Sequence, residues 1–244
     1  MNRNALIPTL AACLVCPLAA GCGSHLPTYA ERDAPASLAT IAQRLASVET
    51  IQSEATVDFL ESDGATVRLD AALAARLPDM LRLRAWKLDR AVFDATLRDG
   101  ELWMLPEGDD RPGGGGDSGL AAQGVFRAFT LLAPAFYETA TVDAARTTAR
   151  ELVVNGTAEG DTITCVIDRA TLTPRHFERA ADRPGSELSV DLADYLVVDG
   201  VPWPGTWTIT HPRGRVVIRM ADVSLNSELP PEALVPPRRA VRKP

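Results

Sequence analysis

Val67-Arg68-Leu69-Asp70-Ala71-Ala72-Leu73-Ala74-Ala75-Arg76-Leu77 reads out the fold class. Val67, Leu69, Ala71, Leu73, Ala75 and Leu77 recur at every second position, and Arg68, Asp70 and Arg76 stand between them. Successive side chains of a strand point to opposite faces, so this alternation predicts a strand with one buried and one wet face. The same period appears further out. Leu81, Leu83 and Ala85 alternate with Arg82 and Arg84. Leu188, Val190 and Leu192 alternate with Ser189 and Asp191, and Val216, Ile218 and Met220 with Arg215 and Arg219.

The turns agree. Asp63-Gly64, Asp99-Gly100 and Asp199-Gly200 each separate two such runs, and Asn155-Gly156 separates 152–154 from 162–167. These dipeptides favour the tight turns that join antiparallel strands. The expectation is a meander of about ten strands. Asn155-Gly156-Thr157 also matches a glycosylation sequon, but its reading as a turn takes precedence. Two helices interrupt the strands. Ser37 reads as an N-cap, followed by Leu38, Ile41, Leu45 and Val48 at helical spacing, which predicts a helix over 38–49. Residues 107–119, EGDDRPGGGGDSG, predict a surface loop, since the stretch lacks the GK[ST] ending of a phosphate loop. After it, Val125, Phe126, Phe129, Leu131 and Leu132 predict a helix over 120–132 that is apolar around much of its girth and must cover, or be covered by, other apolar surface.

The N-terminus carries a targeting signal. Arg3 is followed by the uncharged stretch ALIPTLAACLVCPLAA at 5–20, a little short for a membrane span and better suited to a signal-peptide core. Leu18-Ala19-Ala20-Gly21-Cys22 resembles a lipobox, with its leucine one place further back than usual. By that resemblance residues 1–21 are removed and Cys22 carries a lipid. Gly23 follows, where an Asp retains some lipoproteins in the inner membrane, so the resemblance implies the periplasmic face of the outer membrane. Residues 22–36, polar and with Pro27 and Pro35, read as a tether, and 238–244 as a basic tail after a domain spanning 37–237.

Composition and motifs narrow the chemistry. Of four cysteines, Cys13 and Cys16 lie in the signal and Cys22 in the lipobox, so Cys165 alone is left as a thiol, expected to be a buried small hydrophobe. The net charge of −7 argues against a nucleic-acid partner and against simple attraction to anionic lipid. His25, His176 and His211 have no metal-ligand partner at short spacing, and neither G-x-S-x-G nor H-E-x-x-H occurs. The sequence therefore points to a non-enzyme with no cofactor and no metal.

Taken together, helix 38–49 leading into Ile51, the stretch Leu77-Pro78-Asp79-Met80-Leu81-Arg82-Leu83-Arg84, Val92-Phe93-Asp94, Asp99-Gly100-Glu101-Leu102-Trp103, Asp194-Tyr195, Pro202-Trp203-Pro204 and Val223-Ser224-Leu225-Asn226 with the proline-rich end resemble the LolA/LolB superfamily of periplasmic lipoprotein-localisation proteins, LolB-like lipoproteins above all. The resemblance implies a mainly antiparallel β (α+β) fold, a half-open β-barrel with two helices closing its open side. It also implies an apolar cavity for acyl chains of lipoproteins or lipids, a membrane association through the N-terminal lipid, and a soluble periplasmic lipoprotein carrier as a partner. Each acyl methylene exposed to water costs about 0.8 kcal/mol, so two or three chains cost roughly 20–40 kcal/mol unless a protein covers them. Cavity candidates are Leu69, Leu81, Leu83, Phe93, Trp103, Phe126, Phe129 and Ile218, each of which could equally be core. Leu88, in the hairpin Lys87-Leu88-Asp89-Arg90, matches by resemblance an exposed leucine used to enter membranes. The same fold also serves envelope sensors, and a purely structural lipoprotein with its cavity filled by side chains is a third reading.

Overall fold

In a computed structural model the residues described are 25–30, 33–61, 64–88, 90–105, 117–158, 160–179, 187–212 and 214–243. The signal, Cys22, Asp63, Asp89 and the glycines 113–116 lie outside them. In chain order come α1 (Ala34–Ala46), β1 (Thr50–Glu61), β2 (Thr66–Arg76), β3 (Met80–Lys87), β4 (Arg90–Arg98), β5 (Glu101–Met104), α2 (Asp117–Thr130), α3 (Pro134–Thr139), β6 (Thr141–Val142), β7 (Glu151–Ala158), β8 (Asp161–Asp168), β9 (Thr173–Arg179), β10 (Leu188–Val198), β11 (Val201–His211), β12 (Gly214–Leu225) and β13 (Val241–Lys243). The strands form one antiparallel sheet in the order β13-β5-β4-β3-β2-β1-β12-β11-β10-β9-β8-β7-β6. The sheet is open, with β13 and β6 at its edges, and does not close into a barrel.

Thirteen strands stand where about ten were expected, and three helices among the described residues where two were. The additional elements are short. β6 and β13 have two and three residues and α3 has six, too few to show a period. α1 begins at Ala34, because the Asp33 side chain accepts the Ala36 N–H at 2.8 Å and Pro35 occupies the first turn. Ser37, expected as the cap, is instead buried inside the helix and its hydroxyl donates to the Asp33 carbonyl at 2.9 Å.

The turns at Asp99-Gly100 and Asp199-Gly200 form as expected, with both residues of each pair at positive φ. Asn155-Gly156 does not. It lies within β7, and the β7–β8 connection falls at Gly160, with φ of +85°. The reason is tertiary. A Cβ at Gly156 would sit 2.7 Å from the Phe136 ring of α3, so this glycine makes room for a helix.

On the convex face Asp58 of β1 ties three strands. It accepts from Arg68 of β2 at 2.6 and 2.8 Å and from Arg219 of β12 at 2.6 Å. The Arg68 hydrogen bond, opposed by burial and helped by Arg219, lowers its pKa from 3.8 to about 2. A pKa depressed on folding adds stability above the unfolded value, and that stability is lost as pH falls through the folded one. Both arginines are largely exposed and water screens the pair. Asp58→Asn is therefore expected to remove about 1–2 kcal/mol at pH 7 and to flatten the stability curve between pH 4 and pH 2. Urea unfolding at stepped pH measures both; an unchanged acid limb would contradict the assignment.

After β12 the chain does not end the fold. Residues 226–240 cross to the far edge, where β13 pairs with β5 through Val241 and Met104. On the way Arg82 Nη1 donates to the Glu232 carbonyl at 3.1 Å, and Leu229 and Leu234 are buried outside the concave core. The proline-rich end is a strap over the convex side of β3, and part of the basic tail is a strand.

Candidate functional site

Cross-strand partners share a face, so the register traces the concave side residue by residue. Trp207 pairs with Ile218, Ile218 with Val57 and Val57 with Leu69. Leu73 of the same β2 face pairs with Leu83, and Leu83 with Ala95. In the other direction Trp207 pairs with Leu192, Val190 with Phe177 and Phe177 with Cys165. All belong to one buried apolar cluster, which also holds Ala122, Val125, Phe126, Ala128 and Phe129 of α2.

α2 lies against β11. Phe129 stacks on Trp207 with ring centroids 4.4 Å apart, and Trp203 lies 6.3 Å from Trp207. Gly124 allows a close approach, since a Cβ there would meet Ile209 Cγ2 at 3.1 Å. α3 sits on β7, and its Phe136 meets Phe177 edge-on at 6.0 Å. α1 packs on α3.

Leu69, Leu81, Leu83, Phe93, Ile218, Phe126 and Phe129 are all brought to this interior. Trp103 is not. Leu102 and Met104 pair with Leu97 and Ala95 on the concave side, so Trp103, opposite Thr96 and Arg242, faces the other way. Leu88 stands at the β3–β4 turn with φ of 49°, 88% exposed. Cys165 is buried, and burial pushes its thiol well above the ordinary range. His176 meets Asp191 at 2.7 Å. Among the described residues no cluster of His, Cys, Asp and Glu is arranged to hold a metal.

The residues missed in sequence are Trp203 and Trp207. They were legible, since Trp203, Trp207 and Ile209 keep the period of two, but the prolines at 202 and 204 obscured the strand. A void beside Arg127, Leu131, Ile163 and Leu188 measures about 10 Å³, at most one water. Trp203, Trp207 and Phe129 pack together between the concave face and α2.

No family model matches this sequence, and no curated protein matches it. Solved structures do. A DUF1329 family protein from Desulfovibrio piger is similar over 82% of this chain and 95% of its own, with a TM-score of 0.58 and 10% identity. A domain ascribed to outer membrane lipoprotein sorting from Vibrio parahaemolyticus gives a TM-score of 0.55 at 12% identity, over 83% of this chain and 97% of its own. A LolA superfamily protein from Nitrosomonas europaea gives 0.54 at 11%, over 81% and 97%. The fold is the one these structures share. At this identity the likeness is one of fold. The LolA-type sheet and its helical cover account for the concave cluster described above, and the strap 226–240 is carried on its outer side.

Proposed function

We propose that the chain is a lipid-anchored envelope protein that shelters acyl chains of lipids or lipoproteins between the concave face and α2, and hands them on at the outer membrane. The observation that carries this is the continuous apolar face from Leu83 to Phe177, capped by the apolar helix with Phe126 and Phe129. A carrier needs no catalytic group; it needs apolar surface and a cover that can move. A guest that takes the place of the Phe129–Trp207 contact competes with the α2 packing, so apparent affinity scales with the fraction of molecules in which α2 has moved aside. That aromatic contact favours the second reading, a structural lipoprotein with no guest.

Anchorage at Cys22 and contact through Leu88 address opposite ends of the sheet. The Tyr29 N–H donates to the Ala170 carbonyl at the β8–β9 turn, at 2.8 Å. Following the antiparallel order, that turn and the β3–β4 turn carrying Leu88 lie at opposite strand ends. Cys22 precedes Tyr29 by a stretch that spans at most ~25 Å, whereas a strand of β1's length spans ~40 Å. With Tyr29 docked, Leu88 points away from the anchoring membrane, toward an arriving carrier.

Titration of residues 23–244 with a fluorescent fatty acid tests the proposal. Saturable binding, stronger in Phe126→Leu or another variant that loosens α2, is the expected result. Absence of binding to fatty acid and to lipopeptide alike leaves the structural reading.

A further inference from the structure

Arg44 is a charge on the wrong side of a helix. It stands between Ile41 and Leu45 in α1, on the arc that faces the interior, and its Nη2 donates to the Leu172 carbonyl at 2.5 Å. Its Nε and Nη1 are buried with no hydrogen-bond partner, and no carboxylate among the described residues pairs with it. Close by in α3, Tyr137 is 2% exposed, and the weakly accepting Cys165 thiol is the one group set against its hydroxyl as a hydrogen-bond partner. The Cys165 thiol, the Tyr195 hydroxyl and the Arg44 guanidinium are the polar groups that act on it. Tyr195 is itself satisfied, donating to the Pro174 carbonyl. Arg44 is half-buried, and its two buried nitrogens would gain most from an anionic acceptor. Two buried nitrogens of Arg44 are left without an acceptor, and the nearby Tyr137 hydroxyl has only the Cys165 thiol.

The setting specifies the acceptor. Tyr137 and Cys165 belong to the apolar cluster that lines the concave face. On the solvent side, the β8–β9 turn that holds Arg44 through Leu172 also walls an open cleft of about 590 Å³, lined by Tyr29, Arg150, Arg169, Ala170 and Arg175 with Glu151 and Asp168. Arg175 pairs with Asp168 at 2.9 Å, and the Arg169 Nη1 donates to the Thr148 carbonyl at 3.1 Å. Arg150, Arg169 and Arg175 thus stand with two carboxylates at the mouth of a cleft whose wall, the β8–β9 turn, also holds Arg44.

We propose that Arg44 and Tyr137 form a headgroup site that takes the oxyanion, carboxylate or phosphate, of an amphiphilic lipid whose acyl chain continues onto the concave face. The site rests on the acyl-binding reading and narrows it. The ester and amide groups of a lipidated cysteine carry no negative charge, so the site selects free fatty acids or acyl phosphates over lipoprotein acyl chains. Arg44 supplies charge and two N–H donors, and Tyr137 a third donor; hydrogen bonds to an ionised acceptor are the strong ones.

The test compares a fluorescent polyene fatty acid with the alcohol of the same chain, on residues 23–244. The wild type is expected to prefer the acid by about tenfold or more, the size of one charge-assisted bond. Arg44→Gln abolishes the preference while leaving the alcohol's affinity in place. Tyr137→Phe, which removes only a hydroxyl set against the Cys165 thiol, keeps the fold and reduces the preference several-fold. Acetate and inorganic phosphate, which lack a chain, do not displace the bound acid at equal concentration. Equal affinity for acid and alcohol, or a preference that survives both substitutions, overturns the headgroup site and leaves acyl binding intact. Displacement by the small anions at the fatty acid's own affinity overturns the lipid assignment. Binding of neither ligand overturns both.

Discussion

Trp207→Ala is expected to lower the unfolding free energy by about 3–5 kcal/mol, the range for truncating a fully buried aromatic side chain. Trp207 has no exposed surface, stacks on Phe129 at 4.4 Å and donates its Nε1 proton to the Pro204 carbonyl at 3.0 Å. It pairs with Ile218 on one side and Leu192 on the other. Truncation would open a void beneath α2, strand a buried carbonyl and remove the aromatic contact that holds the helix down. Phe129→Ala attacks the same contact from above and is expected to fall in the same range. From sequence alone Phe129 was a cavity candidate or core, and the structure stacks it on Trp207. Trp103→Ala is the control, a half-buried tryptophan on the convex side with a smaller expected loss. Urea denaturation of the three variants gives the answer, and a loss below about 1 kcal/mol for Trp207→Ala would show that α2 does not pack as described.

Asp94→Ala is expected to be as damaging, by a different route. Asp94 is 2% exposed on the convex side of β4, and both its oxygens accept from Arg82, at 2.9 and 2.7 Å. Arg84 lies at 3.8 Å, and the Asp94 carbonyl accepts the Leu105 N–H at 3.0 Å. Removing one partner of a buried pair leaves an uncompensated charge, which costs about 3–5 kcal/mol. Replacing both partners with apolar residues of similar size, Arg82→Met with Asp94→Leu, is expected to recover most of that loss. Arg82 also holds the strap through the Glu232 carbonyl, so Asp94→Ala should loosen residues 226–240 and raise proteolysis there ahead of global unfolding. A double variant as unstable as Asp94→Ala alone would show that the strap contact, not the stranded charge, carries the effect.

The sequence by itself determined what repeats locally. Period-two runs assigned β2, β3, β10 and β12 and the inward faces of Leu69, Leu83 and Ile218, because strand geometry alone sends alternate side chains to opposite sides. Asp99-Gly100 and Asp199-Gly200 were legible because positive φ at both turn positions is a property of those residues. What lacks a period needed the tertiary structure. Asn155-Gly156 carries a turn signal, yet stays in a strand because Phe136 occupies the space a Cβ would take. Trp103 shows the same limit: its apolar character said that it would be covered, and only the register with Ala95 and Leu97 said from which side. β13 forms because the strap delivers Val241 to an unpaired edge, an encounter between residues more than a hundred positions apart. That Phe129 of α2 would stack on Trp207 of β11 was not legible, since contact between packed elements depends on distant side chains that no local pattern records. Arg44 is the sharpest case. No sequence pattern marked it, and that it would find a carbonyl and no carboxylate was settled only when α1, α3 and the β8–β9 turn came together.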